Sequence, residues 1–279
     1  MKIIYLLAIL PLFSFQKQDT ESTDYTKEFL FTKGIEGPAV DSKGNLYAVN
    51  FTKEGTIGIV NSKGKVSLFT TLPKGSIGNG IRFDKKDNMY IADYAKHNIL
   101  FIKNGTKEAV IYAHNTKLNQ PNDIAISPNG TLYASDPNWK EDTGKLWMIK
   151  DKEFLLLEEN MGTTNGIEVS PDGKKLYVNE SVQRTIWVYD IIADGTIKNK
   201  QLFAQFKDFG LDGMRCDNKG NLYVCRYGKG TVIVLSPKGK QIRKIVLKGK
   251  KNSNITFSRD KKQCFITLAD RGCFELFNN

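Results

Sequence analysis

The sequence predicts an all-β fold: a six-bladed β-propeller with four antiparallel strands per blade. Three observations predict it. One strand–turn–strand phrase recurs six times, its copies are 42 to 46 residues apart, and the intervals hold period-2 apolar runs without helical periodicity. Four short strands in a period near 43 residues is the arithmetic of a propeller blade.

The chain opens on MKIIYLLAILPLFSF, one Lys and then a short apolar run, followed by the polar stretch QKQDTESTD. This reads as a signal peptide and short leader over residues 1–20, ahead of a propeller domain over 27–279. The expected location is secreted or periplasmic, with no stable membrane span once the signal is removed. No small-x-small cleavage triplet is evident, so an uncleaved anchor helix is the alternative. No Cys follows the run, which argues against a bacterial lipoprotein anchor.

The phrase is a short apolar strand, an Asp or Ser, a tight polar turn, and a strand carrying Leu-Tyr or its equivalent. It reads AVDSKGNLYAVN (39–50), RFDKKDNMYIAD (82–93), AISPNGTLYASD (125–136), EVSPDGKKLYVNE (168–180) and RCDNKGNLYVCR (215–226), with a degenerate sixth copy, TFSRDKKQCFITL (256–268). The anchoring aromatics are Tyr47, Tyr90, Tyr133, Tyr177, Tyr223 and Phe265. Two further runs follow each copy, such as TIGIVN and KVSLFTT split by a Gly turn after the first. The sixth copy supplies only three strands, the last being CFELF at 273–277. The expected fourth is EFLFT at 28–32, which would close the ring from the N-terminus and leave no open blade edge.

Composition excludes several function classes. The net charge of +11 comes mostly from Lys scattered in turns, a solvated surface with no arginine stripe or nucleic-acid motif. No GxSxG, HExxH or P-loop occurs, so a serine hydrolase or a nucleotide enzyme is not expected. The partner is therefore a small-molecule substrate and not nucleic acid, and the expected state is a monomer. Cys216, Cys225, Cys264 and Cys273 lie in apolar runs with no zinc-type spacing, and they read as buried small hydrophobes. A Cys264–Cys273 bridge across one hairpin is conceivable in an exported protein.

The position five residues before each Asp/Ser of the phrase holds Glu36, Asn79, Asn122, Asn165, Asp212 and Ser253. Each opens an inner strand, so a ring brings the six side chains to one channel mouth. Asn and Asp also enter strands as plain turn residues, but Glu is a poor turn residue. An oxygen-rich ring with two carboxylates suits a hard divalent cation, Ca²⁺ above all, which also relieves their mutual repulsion.

The stretches IEGPAVDSKGNLY, PNDIAISPNGTLYASDP, TNGIEVSPDGKKLYV and LDGMRCDNKGNLYV resemble the SMP-30/gluconolactonase/LRE-like family, in particular its bacterial gluconolactonase-type members, over about 33–279. The resemblance implies a six-bladed propeller with one catalytic divalent cation, usually calcium. By position it implies Glu36, Asn165 and Asp212 as metal ligands, Asn122 as a metal or substrate contact, and Asp212 also as general base. The chain departs from the animal sugar lactonases at Gln120, where they carry an Arg that touches substrate.

The implied reaction is hydrolysis of a lactone or related ester. Substrate contacts are expected from Asn122, Asn79, Gln120 and Asp136, from Trp139 in the long connection PNWKEDTG (137–144), and from His114. The other second-strand ends, Asn50, Asp93, Asn179 and Arg226, are expected to shape the pocket. Two rival readings share the fold: a non-catalytic NHL-like recognition propeller with a structural cation, and a phosphotriesterase-like hydrolase.

Overall fold

A computed structural model describes residues 20–279 as six antiparallel sheets arranged as blades around a central channel, with no helix among the described residues. The expected signal peptide lies outside the described residues. Two short N-terminal strands come first, β1 (Thr20–Glu21) and β2 (Thr23–Asp24). Blade 1 contains β3 (Ala39–Val40), β4 (Leu46–Val49), β5 (Thr56–Val60) and β6 (Val66–Thr71). Blade 2 contains β7 (Gly78–Phe83), β8 (Met89–Asp93), β9 (Asn98–Ile102) and β10 (Ala109–His114). Blade 3 contains β11 (Ile124–Ile126), β12 (Leu132–Asp136), β13 (Gly144–Lys150) and β14 (Glu153–Met161). Blade 4 contains β15 (Thr164–Val169), β16 (Lys175–Glu180), β17 (Thr185–Ile191) and β18 (Ile197–Gln205). Blade 5 contains β19 (Met214–Cys216), β20 (Leu222–Arg226), β21 (Thr231–Leu235) and β22 (Gln241–Val246). Blade 6 contains β23 (Asn252–Phe257), β24 (Gln263–Leu268) and β25 (Cys273–Asn278).

In three of the blades the repeated phrase turns for one local reason. Asp41 Oδ1 accepts the backbone N–H groups of Lys43 and Asn45 at 2.9 and 2.8 Å, and its Oδ2 accepts from the Asn45 side chain at 2.8 Å. Asp84 and Asp217 repeat this pattern with Lys86 and Asn88 and with Lys219 and Asn221. The carboxylate replaces the backbone partners that a reversing chain lacks, so inner and second strands join in a few residues. All these turns emerge on one face, and the starts of the inner strands lie on the other.

The core consists of layers between blades. One cluster joins Tyr47, Val49 and Ile57 of blade 1 to Ile81, Ile91 and Leu100 of blade 2. Another joins Ala92 and Ile99 to Ile124, Leu132 and Trp147. The last joins Phe265 and Phe274 of blade 6 to Leu46 and Ala48 of blade 1. Each fully buried Ile or Leu contributes about 1.5–3 kcal/mol, but only while the neighbouring blade is in place.

The ring closes through the N-terminus, as expected, but through a different segment. Thr23 and Asp24 pair antiparallel with Leu276 and Glu275, so β2 and not EFLFT is the fourth strand of blade 6. The EFLFT segment crosses the seam instead: the Phe29 and Phe31 N–H groups donate to Arg271 and Gly272, and Phe31 bridges to Phe51 of blade 1. The tie continues one blade further, since β1 pairs in parallel with β22 of blade 5. Glu275 fastens the tie from inside: it is fully buried and accepts from Ser22 Oγ, from the Lys248 and Gly249 N–H groups, and from Arg271.

The four cysteines are buried and free. The β24–β25 register sets Cys264 opposite Phe277 and Cys273 opposite Leu268, so the two are not paired across the hairpin and the conceivable bridge is not formed.

A chain beginning at residue 27 would lose β1, β2 and Ser22 and leave Glu275 short of partners. It should unfold in urea with a stability about 2–5 kcal/mol below that of a chain beginning at residue 20, the range for stripping a buried charge of its partners. Equal midpoints and slopes for the two chains would show that the N-terminal tie contributes nothing to closure.

Candidate functional site

The inner strands deliver their first residues to the channel mouth. Asn79 Nδ2 donates to the Asn122 carbonyl at 3.0 Å, and Asn179 Nδ2 donates to the Asp212 carbonyl at 2.6 Å, tying blade 2 to blade 3 and blade 4 to blade 5. Ser253 Oγ donates to the Ile35 carbonyl at 2.8 Å, joining blade 6 to the residue before Glu36. These bonds bring Asn79 beside Asn122 and Ser253 beside the residue that precedes Glu36. Ser253 spends its hydroxyl on the backbone and on Thr267, so it belongs to the wall.

The next residue along each inner strand adds a layer that the repeat did not reveal. It is glycine in four copies, but Asp123 and Asn254 in the other two. Asn254 Nδ2 donates to Glu36 Oε2 at 2.9 Å and to Asp123 Oδ2 at 3.2 Å, bridging two carboxylates. The glycines make room for these side chains. A Cβ on Gly80 would lie 2.5 Å from Asp123 Oδ1, and one on Gly213 would lie 2.0 Å from Asn254 Cγ. Deeper still, Arg82 pairs with Asp123 at 3.1 Å and with Glu168 at 3.6 Å, and Arg215 reaches Glu168 at 3.6 Å.

The electrostatics are those of like charges held out of water. Burial first, and then the Asp123 carboxylate, push Glu36 up to about 8. Burial followed by Glu36 and Asp123 raises Asp212 well above the ordinary carboxylate range, with the Asn165 side chain pulling the other way. Asp123 is raised by burial against the opposing pull of Arg82. The three titrate as one coupled group. Fully ionised, the four channel carboxylates Glu36, Asp123, Glu168 and Asp212 form ion pairs, among the described residues, with two cations, Arg82 and Arg215, leaving two negative charges without a paired cation.

Two buried amide oxygens, Asn122 Oδ1 and Asn165 Oδ1, have no hydrogen-bond partner. A buried oxygen without a donor costs about 1–3 kcal/mol, so such a pair beside excess negative charge is what a hard cation would relieve. No three His, Cys, Asp or Glu side chains among the described residues form a ready-made metal cluster; the oxygens here are carboxylate and amide together. The donor set nevertheless fits a divalent cation in both charge and atom type.

Beside the mouth, a cleft of about 220 Å³ runs between blades 1, 2 and 3. Asn79, Asn122, Gln120 and Trp139 line it as expected, together with Tyr94 and Glu54, which the sequence did not single out. Trp139 is 47% exposed at the cleft.

Two expected contacts are corrected. Asp136 is fully buried, its oxygens taken by the N–H groups of Asn119 and Gln120 and by Trp147 Nε1, so it holds the 119–120 loop and does not line the cleft. His114 ends the outermost strand β10, exposed, with Nδ1 bonded to Asn98 Oδ1 at 2.8 Å, and it is outside the cleft. Asp136 exemplifies a rule: second-strand ends tie down the loop before an inner strand. Asn50 donates to the Gly34 carbonyl, Asp93 accepts the Ile77 N–H, and Arg226 donates to Asp208. Of these, only Asn50 also lines the cleft.

Comparison with known proteins agrees with this architecture. The model of the SMP-30/Gluconolactonase/LRE-like region matches residues 34–270. A gluconolactonase of Zymomonas mobilis is 28% identical over 217 residues, which are 68% of this chain but only 60% of that protein's length. The diisopropyl-fluorophosphatase of Loligo vulgaris is 26% identical over 279 aligned positions, covering 86% of this chain and 89% of the squid protein. A solved gluconolactonase structure from Xanthomonas campestris superposes with a TM-score of 0.79 at 19% identity, over 91% of this chain and 88% of the other, and shows the shared fold.

The raised carboxylates have a consequence for stability in the absence of metal. Glu36 keeps its proton in the folded chain up to about pH 8, whereas the unfolded chain releases it near 4.5. Between these values the folded state binds more protons, so unfolding free energy falls as pH rises and levels off above about 8. In EDTA the urea midpoint should therefore be lower at pH 8 than at pH 5, and Glu36→Gln should flatten this slope and raise the midpoint at pH 8. A slope unchanged by Glu36→Gln would place the strain elsewhere.

Proposed function

The chain belongs to the SMP-30/gluconolactonase/LRE-like family, and on that premise we propose that it is a metal-dependent hydrolase of a lactone or a related ester. The observation that carries the reading is the channel mouth: two unpartnered amide oxygens beside carboxylates whose charge the channel arginines do not balance. Glu36, Asn165 and Asp212 would hold the cation, calcium by preference, with Asn122 in the same shell or one shell out. Bound there, it supplies Lewis-acid polarisation of the scissile carbonyl and a counter-charge for the oxyanion.

The chain's own groups do the rest. Asp212, raised by its surroundings and partly open at the mouth, accepts the proton of the attacking water or itself attacks the carbonyl. Its backbone is held by Asn179, which fixes where that carboxylate stands. Glu36 is held by Asn254 and by the Gly37 N–H, leaving it no freedom to turn away from the mouth. Tyr94 and Trp139 offer ring faces to a small cyclic substrate, and Asn79, Gln120 and Glu54 offer polar atoms around it. Gln120 cannot make the bidentate contact an Arg would, so a sugar acid's charge is not recognised at that position. A location outside the cytoplasm and a monomeric state complete the proposal.

A second reading is favoured by one observation, the alignment to the diisopropyl-fluorophosphatase along nearly all of that protein. The same cage suits attack at a phosphorus centre, so phosphotriesters belong in the substrate panel.

The test is a rate panel of lactones, aryl esters and phosphotriesters run against a calcium titration. Chelation should abolish turnover. Asp212→Asn keeps an oxygen ligand but removes basicity, and should lower kcat about 10²–10⁴-fold even at saturating calcium. Glu36→Gln should chiefly weaken calcium binding, so excess calcium should restore most of the rate. Equal rescue of both variants would make Asp212 a ligand only. If no substrate is turned over, or turnover is indifferent to both substitutions and to chelation, the hydrolase reading falls and a recognition module with a structural cation takes its place.

A further inference from the structure

A groove of about 1100 Å³ lies away from the channel mouth, on the opposite face between blades 2 and 3. Its wall is an aromatic triad. Tyr90 lies 5.2 Å from both Phe101 and Tyr112 by ring centroid, and Phe101 and Tyr112 are 6.0 Å apart. Ile126, from the inner strand of blade 3, forms the far side, and Lys85, Lys86 and Lys152 stand at the rim.

At two other junctions an aromatic side chain occupies the space that is open here. At the junction of blades 1 and 2, Phe83 packs on the anchoring Tyr47 at 5.3 Å, and between blades 5 and 6 Phe257 packs on Tyr223 at 5.0 Å. Between blades 3 and 4 the turn carrying Gly195 closes over Tyr133, whose hydroxyl donates to the Gly195 carbonyl at 2.7 Å. Between blades 2 and 3 the residue equivalent to Phe83 and Phe257 is Ile126. It offers no ring to the triad, and of the β13–β14 turn Lys152 lines the groove.

The chemistry left open is specific. The hydroxyls of Tyr90 and Tyr112 have no hydrogen-bond partner among the described residues. Burial and the neighbouring Tyr112 push Tyr90 up to about 12, so it remains a neutral donor at physiological pH. Lys85, Lys86 and Lys152 are exposed and make no ion pair among the described residues. Two acids stand near, Asp84 at the groove and Asp151 close to Tyr112, so the three lysines outnumber the carboxylates and leave a net positive rim. No arginine lines the groove, so the bidentate fork that favours phosphate is missing.

We propose that this groove is a second ligand site, distinct from the channel mouth, which takes a planar aromatic carboxylate. The ring would insert between Ile126 and the tyrosines, filling the place that Phe83 and Phe257 fill at two other junctions, and the carboxylate would meet the lysine rim and the phenol hydroxyls. Offset or edge contacts with the triad select a flat occupant, and the excess of lysine over carboxylate at the rim selects an anion.

Calorimetric titration of the whole chain with 1-naphthoate tests this, with EDTA present so that no metal at the channel mouth can hold the carboxylate. Saturable binding is expected with a Kd on the order of 10–100 μM, and the neutral 1-naphthalenemethanol should bind about tenfold more weakly or worse. Ile126→Phe, which supplies the missing filler, should weaken naphthoate binding at least about tenfold. The double variant Lys86→Glu/Lys152→Glu changes only exposed side chains, so it tests the rim even where Ile126→Phe fails to fold. It should weaken naphthoate while leaving the neutral analogue unchanged. Absence of saturable binding below about 1 mM, or binding undiminished in a folded Ile126→Phe or in the double lysine variant, would overturn the proposal.

Discussion

The constraint on which everything else depends is that no blade can bury its own apolar face. Val49 and Ile57 are sealed by Ile81 and Leu100 of the next blade, which are in turn part of a sheet sealed by another. Such a series is stable only if it returns to its start. Closure falls to a few hydrogen bonds of β2 and to the buried Glu275, which gathers Ser22, two backbone N–H groups and Arg271 around one carboxylate. A buried carboxylate with several donors is an exacting clasp, since losing one partner exposes the full cost of desolvating the others. The parallel pairing of β1 with β22 spreads that load onto a second blade.

A closed ring also creates the site. Six inner strands begin at equal height around a channel, so whatever opens each strand is forced toward its counterparts. With Glu36, Asp123 and Asp212 at the mouth and Glu168 below, the ring concentrates negative charge where water is scarce, and Arg82 and Arg215 offset only part of it. The raised carboxylates and the orphaned oxygens of Asn122 and Asn165 are two expressions of the same deficit. The interblade cores hold together what the channel pushes apart.

What the sequence reveals follows from what repeats. Six copies of one phrase make the blade count, the strand order and the mouth ring legible, because periodic positions report the same environment six times. Asp123 and Asn254 were hidden because they replace glycine in only two copies, and a break in a glycine column carries no signal until the space that glycine leaves is visible. Arg82, Glu168 and Arg215 share one column with Ala39, Ala125 and Thr256, so their meeting depends on which blades oppose across the channel. Asp136 was misread because a carboxylate at a strand end looks the same whether it faces substrate or the N–H groups of its own loop. EFLFT has the stronger β pattern, but Thr23 and Asp24 hold the edge, in a register that brings Ser22 to Glu275.

The two faces of the ring diverge for the same reason. On the turn face the Asp and Asn side chains of the phrase rebuild nearly the same reversal in blade after blade, so that face is regular and differs mainly where an interblade filler changes, as at Ile126. On the mouth face the loops are individual, and five are pinned by a residue at the end of a second strand: Asn50, Asp93, Asp136, Glu180 or Arg226. These anchors differ in type because each loop presents a different backbone group: a carbonyl needs an amide or guanidinium donor, and an N–H needs a carboxylate. The scaffold can therefore change the lining of its mouth one loop at a time, provided the matching anchor changes with it, while the ring of strand-opening oxygens beneath stays fixed by the closure of the ring.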